Sequence, residues 1–191
     1  MIRWLYATLE NRSLAFTLAA ALLVAAVPGV ADARPWKPTA EALALDYAQI
    51  IDQRSPNEMV LVMWLAPEIV ADDEESDLAR QILADYLVVA VVHGDISDLG
   101  QITFRKVASL DARTFGNTSL APLDTGGLPP AVTGVISIMQ GMFTQALGAM
   151  GQGTNWFVFD GSPVTSCGTG GFSIPYAGEV YEYATPIPGC P

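Results

Sequence analysis

Positive charge is what this sequence has least of. Nine Lys and Arg stand against twenty Asp and Glu, with one histidine, for a net charge of −11 at pH 7. So few cations leave no basic surface to pair with a phosphate backbone, and an anionic membrane face repels such a chain. Nucleic acid is therefore excluded as a partner. Cysteine is nearly as scarce, with Cys167 and Cys190 alone. Once those two pair, His93 is the only remaining nitrogen or sulfur ligand, too little for an ordinary transition-metal site. No cofactor is expected. Charge of either sign is missing from Thr125 to Phe159, although the chain carries 29 charged side chains elsewhere.

That neutral run reads as the element the rest is organised around. Between Pro129 and Met150, the residues Val132, Val135, Ile136, Met139, Met142, Phe143, Ala146, Leu147 and Met150 recur at helical spacing on one broad face. Thr133, Ser137, Gln140 and Thr144 fall opposite. Gly134, Gly141 and Gly148 repeat every seven residues along one border. Each glycine costs a helix interior about 1 kcal/mol relative to Ala, so three in register imply a neighbouring backbone that comes close. The first expectation is packing on the protein's own sheet. The other reading is a seam for an envelope protein, or for a second copy of the chain.

The amino terminus has the layout of a secretory leader. Arg3 and Arg12 are followed by the apolar run Leu14 to Val27, by Pro28-Gly29, and by the small residues of Ala31-Asp32-Ala33 that a signal peptidase reads. Cleavage after Ala33 is expected, making residues 1–33 a signal peptide and 34–191 one globular exported domain, periplasmic or secreted. Stable membrane insertion after cleavage is not expected, because the apolar run leaves with the leader, and as an uncleaved anchor it is short for a bilayer crossing of about 20 residues. The competing reading keeps residues 14–27 as an anchor for a membrane complex. The leader's two acids and two bases cancel, so the mature chain keeps its net −11. An oxidising compartment accounts for a Cys167–Cys190 disulfide, which contributes about 3–4 kcal/mol in the chain-entropy treatment.

Beyond Arg34–Pro38, Thr39 reads as the N-cap of a helix carrying Leu43, Tyr47, Ile50 and Ile51 on one face, stopped by Ser55-Pro56. Met59 to Leu65 is continuously apolar and rich in Val, as in a strand buried on both faces. The acid run Asp72–Asp77 lacks the alternation and the glycine of a calcium loop and suits the first turn of a helix continuing through Leu78, Ile82 and Tyr86. Leu87 to Val92 reads as a second buried strand, Gly94–Gly100 as a turn, Gln101–Ala108 as a half-buried strand and Leu120–Leu123 as a short edge strand. Trp156–Phe159 is an aromatic strand. The last unit is a hairpin about Ala177-Gly178, read as a type II turn, in which Phe172 faces Tyr183 and Ile174 faces Tyr181.

Three stretches carry residue types that do chemistry. Asp124-Thr125-Gly126 resembles the Asp-Thr-Gly signature of aspartic proteases, and that resemblance implies two carboxylates sharing a proton to activate water. A second Asp in symmetric position is required, and Phe159-Asp160-Gly161-Ser162 is only a loose echo. Read by themselves, the same three letters before Gly127-Leu128-Pro129-Pro130 make an ordinary loop. His93-Gly94-Asp95, with Asp98 behind it, offers a general base at a strand end, or equally a satisfied, partly buried histidine. Cys167-Gly168-Thr169-Gly170-Gly171 is rich enough in glycine to cradle an anion but does not open a helix, so a loop beside a disulfide explains it better.

The expectation is an α+β fold: a small, mainly antiparallel sheet of short strands packed with two or three amphipathic helices, with one disulfide. The leading functional reading is a non-catalytic envelope module that binds a protein partner or a small ligand. Its rival is a periplasmic hydrolase or metal-dependent enzyme centred on His93, Asp95 and Asp124, which requires those residues to converge in one pocket.

Overall fold

Two antiparallel sheets and a helical layer account for the described residues of the computed structural model, which are 48–51, 57–70, 73–74, 76–188 and 190. The leader, the cleavage site after Ala33 and the helix start at Thr39 lie outside them. In chain order the elements are β1 (Ala48–Ile51), β2 (Glu58–Leu65), α1 (Asp77–Asp85), β3 (Tyr86–Ile96), β4 (Ile102–Phe104), β5 (Ala112–Thr114), β6 (Ser119–Leu120), α2 (Pro130–Leu147), α3 (Ala149–Gln152), β7 (Thr154–Asp160), β8 (Gly170–Tyr176) and β9 (Glu179–Thr185). The fold is α+β, with the Cys167–Cys190 disulfide formed.

Strand β3 is the hub of the first sheet. One edge pairs with β2 along its whole length, from Glu58↔Asp95 to Leu65↔Val88, and β1 extends the sheet beyond β2. The other edge is shared: β7 takes Tyr86–Val92 and β4 takes Gly94–Ile96. The second sheet runs in the order β6-β5-β8-β9.

The continuous apolar sequences of β2 and β3 follow from this layering, because both faces of the first sheet are covered. Alternate residues Val60, Val62 and Trp64 of β2, Leu87, Val89 and Val91 of β3, and Phe157 and Phe159 of β7 meet Phe172, Ile174, Tyr181 and Tyr183 of the second sheet. The intervening Leu65, Val88, Ala90 and Val158 meet Ile82 and Leu83 of α1 and Val132, Val135 and Met139 of α2. The inter-sheet layer is built on an aromatic group. Trp64 meets Phe172 edge-on at 5.2 Å between ring centroids, and Phe172 stacks on Tyr183 at 4.9 Å. The Tyr183 hydroxyl donates to the Val62 carbonyl at 2.9 Å, bonding one sheet to the other inside the core. Burial pushes its phenol far above the usual tyrosine range.

Helix α2 starts as its sequence directs, with Pro129 as N-cap and Pro130 at the first helical position. Its end differs from the expected helix through Met150. Gly148 has φ +59, closes the helix with its N–H bonded to Thr144 O, and starts the separate turn α3. The expected close backbone along the glycine stripe is also absent. A Cβ added at Gly134, Gly141 or Gly148 meets no neighbouring atom within 4 Å among the described residues. The stripe faces outward, and it is Val132, Val135 and Met139 that face the sheet.

Other expectations are corrected by strand pairing. The helix placed over Ile50 and Ile51 is a strand there, since Ala48–Ile51 aligns against Val60–Met63 at the open edge of β2. Gly94 continues β3 instead of turning: it pairs with Phe104 of β4, and a Cβ there would lie 2.8 Å from Ile102 Cγ2, so glycine eases the close approach of β4. The Gln101–Ala108 strand shortens to β4, and Leu120–Leu123 to β6, after which Pro122 bridges Phe159 and carries the chain onto the first sheet. The hairpin has the expected register, Phe172↔Tyr183 and Ile174↔Tyr181. Its turn is not type II: Ala177 and Gly178 both have positive φ, the I′ pattern that matches strand twist. Among the described residues no helix is long and apolar enough to cross a membrane.

Replacing Phe172 by Ala should destabilise the fold by about 3–5 kcal/mol, since it empties the centre of the aromatic group. Val180→Ala, on the exposed side of β9, should cost less than about 0.5 kcal/mol. Urea unfolding of the two variants measures the contrast.

Candidate functional site

The inward faces of β2 and β3 change character at one end of the inter-sheet layer. Past the apolar Val60 and Val91, the same face continues as Glu58 on β2 and His93 and Asp95 on β3. Glu58 and Asp95 lie directly opposite each other, an arrangement that repels unless a cation joins them. Arg105, just after β4, supplies it. Its Nε donates to Asp95 Oδ2 at 2.6 Å, its Nη2 donates to Asp95 Oδ1, and its Nη1 donates to Glu58 Oε1 at 3.3 Å. His93, 5% exposed, bridges the two sheets. Its Nε2 lies 2.6 Å from Glu58 Oε1 and its Nδ1 lies 2.7 Å from the hydroxyl of Tyr176, at the tip of the β8–β9 hairpin. The Tyr176 ring also meets the imidazole edge-on at 5.5 Å.

This chain of Tyr176, His93, Glu58, Arg105 and Asp95 sets a hydroxyl, an imidazole and a carboxylate in series, as nucleophile triads do. Burial raises the Tyr176 phenol above its usual range, opposite to what a nucleophile requires. Both imidazole nitrogens have protein partners, Tyr176 at Nδ1 and Glu58 at Nε2. The arrangement joins the open end of one sheet to the hairpin of the other.

Asp124 sits elsewhere. Its carboxylate accepts from the Gly126 N–H at 3.1 Å and caps the short turn Thr125–Gly127. It lines a groove of about 460 Å³ with Lys106, Ser109, Leu123, Trp156 and Phe157 among its walls. His93 and Asp95 do not line that groove. The three residues considered together as an enzyme centre are therefore not gathered in it. Asn155 holds one side of the groove in place, accepting from Val107 N–H at 3.0 Å and donating to the carbonyls of Val91, Arg105 and Gly153. Trp156 is fixed by its indole N–H, which donates to Gln140 of α2 at 2.5 Å. The glycine-rich stretch after Cys167 leads into β8. Gly171 has φ +139, and a Cβ there would lie 2.3 Å from Tyr183 O, so close packing accounts for it without an anion.

The outward face of α2 is the third feature. Ile138 is 64% exposed and Met142 56%, on the side that also carries Gly134 and Gly141. Ser137 donates to Thr133 O at 2.9 Å and Thr133 to Pro129 O at 3.4 Å, so their hydroxyls turn back onto the helix and offer little to solvent.

Glu58, Arg105 and Tyr176 did not stand out as site residues in the sequence. The signal available was the pairing of two buried strands, which sets Glu58 opposite Asp95 and calls for a cation. In comparisons with known proteins, the chain has no significant match to a family model, a curated protein or a solved structure.

The acidic side of the stability profile follows from the cluster. Hydrogen bonds from Arg105 hold Asp95 below the usual carboxylate range, with the Arg105 and His93 charges adding and partial desolvation opposing. The Ser162 backbone N–H, bonded at 3.0 Å, does the same for Asp160. A carboxyl whose folded pKa is depressed stabilises fully above its unfolded value, about 3.9, and that contribution is lost as pH falls through the folded value. Asp95→Asn and Asp160→Asn should therefore each flatten the fall in urea midpoint below about pH 4. Arg105→Ala should act as Asp95→Asn does; an unchanged acid slope in all three variants would contradict the assignment.

Proposed function

We propose that this protein is an exported, non-catalytic module of the cell envelope, periplasmic or secreted, that holds a protein partner on the outward face of α2. The carrying observation is that face: exposed Ile138 and Met142 beside Gly134 and Gly141, in a run without one charged residue from Thr125 to Phe159. Exposed large apolar side chains grouped on one element are the usual mark of a contact surface. Glycines seven residues apart match the 3.5-residue period at which two helices stay in contact, and without side chains they let a second backbone approach. The partner is accordingly a protein presenting an apolar helix, either another envelope protein or a second copy of this chain. The secretory layout of residues 1–33 and the Cys167–Cys190 disulfide support the location.

The groove beside Asp124 gives a second reading, small-ligand binding, one specific support. Pro122, Leu123, Trp156 and Phe157 provide apolar walls, with Lys106, Ser109 and Asp124 spaced among them.

The test of the leading reading is a photo-crosslinker placed at position 138 in the host envelope, with position 180 on β9 as the exposed control. One dominant adduct from 138 and none from 180 is expected. Met142→Glu should reduce that adduct at least tenfold, with thermal stability unchanged. Equal, scattered labelling from both positions would overturn the proposal.

A further inference from the structure

We propose that Glu68, Cys167 and Cys190 form a redox-gated site for one divalent transition-metal ion of the zinc class. The site is closed while the disulfide stands and opened by a reducing dithiol. A ligand atom from each of the three residues lies within 4.8 Å of the other two. Glu68 comes from the short turn Pro67–Ile69, far in sequence from both cysteines, and the fold brings it against them. Its Oε1 accepts from the Ser166 hydroxyl at 2.6 Å and lies 3.8 Å from Cys167 Sγ. Its Oε2 is buried and has no hydrogen-bond partner among the described residues. A buried carboxylate oxygen without a donor is unfavourable and available for a ligand. The sulfurs of a disulfide carry no hydrogen and cannot satisfy it.

Opening needs two electrons and two protons. Cys167 is the exposed member of the pair, so a thiolate of the dithiol attacks its sulfur, breaks the S–S bond and releases Cys190 as a thiolate that takes up a proton. The second thiol of the reductant then attacks the mixed disulfide and leaves as a cyclic disulfide, freeing Cys167. A divalent ion displaces both thiol protons, forming two metal–sulfur bonds and one bond to Glu68, with a water in the fourth position. Metal–sulfur bonds of about 2.3 Å in a tetrahedron set the sulfurs about 3.8 Å apart. With Cα atoms at 5.3 Å, side-chain rotation alone reaches that separation. Ser166, bonded to Glu68, orients the carboxylate from outside the ligand set.

Cobalt(II) is the probe. The protein as recovered from its host is reduced, freed of reductant without oxygen, and titrated with Co²⁺ alone. One equivalent should bind with thiolate-to-cobalt bands in the near ultraviolet and tetrahedral bands in the visible, and Zn²⁺ should abolish both. The oxidised chain should show neither. Glu68→Gln, with its disulfide and melting temperature intact when oxidised, should bind at least tenfold more weakly once reduced. The proposal is overturned by absent thiolate bands, by equal affinity in Glu68→Gln, or by a reduced chain that unfolds and is not restored by the metal.

Discussion

Strand β3 has no surface to spare, and the architecture follows from that constraint. Leu87 to Val92 are each at most 2% exposed, so both faces need cover and both edges need partners. The odd-numbered residues require the aromatic layer of β8 and β9, and the even-numbered ones require α1 and α2. Backbone groups on both edges are satisfied by β2 on one side and by β7 and β4 on the other. Burying one such Val side chain stabilises by about 1.5–3 kcal/mol, and each face of the strand gains it only from the layer that covers it.

The inter-sheet layer also shows how a core ends. Apolar side chains fill it as far as Val60 and Val91, and beyond them Glu58, His93, Arg105, Asp95 and Tyr176 close the rim as a connected set of charges and hydrogen bonds. A buried histidine is tolerable here because each nitrogen has a partner. The same set explains why His93 sits beside acids at the end of the core.

What could be read from the sequence was whatever one element decides alone. The apolar runs of β2 and β3, the Pro-initiated α2, the hairpin register and the disulfide all follow from local pattern. What could not be read depended on a partner strand. Gly94 looks like a turn until β4 packs against it at Ile102, and Ile50 and Ile51 fit a helical face as well as an edge strand. The glycine spacing of α2 was legible, but its direction was not: periodicity locates a stripe on a helix without saying which side meets the sheet. The rim cluster was hidden for a similar reason, since Glu58 and Tyr176 are 118 positions apart in number and meet only through His93. Glu68 is likewise separated from Cys167 by 99 positions.

Helix α2 has two unlike faces, one buried against the sheet and one exposed, and it is the exposed one that we propose meets a partner. Hydroxyl-radical footprinting, done on the purified protein and in the intact envelope, separates them. Met139 and Met142 serve as neighbouring reporters, 8% and 56% exposed. The account predicts that Met139 resists oxidation in both preparations, while Met142 is oxidised in the purified protein and protected in the envelope. Equal oxidation of Met142 in both would contradict it, leaving α2 as a packing helix with a bare outer side.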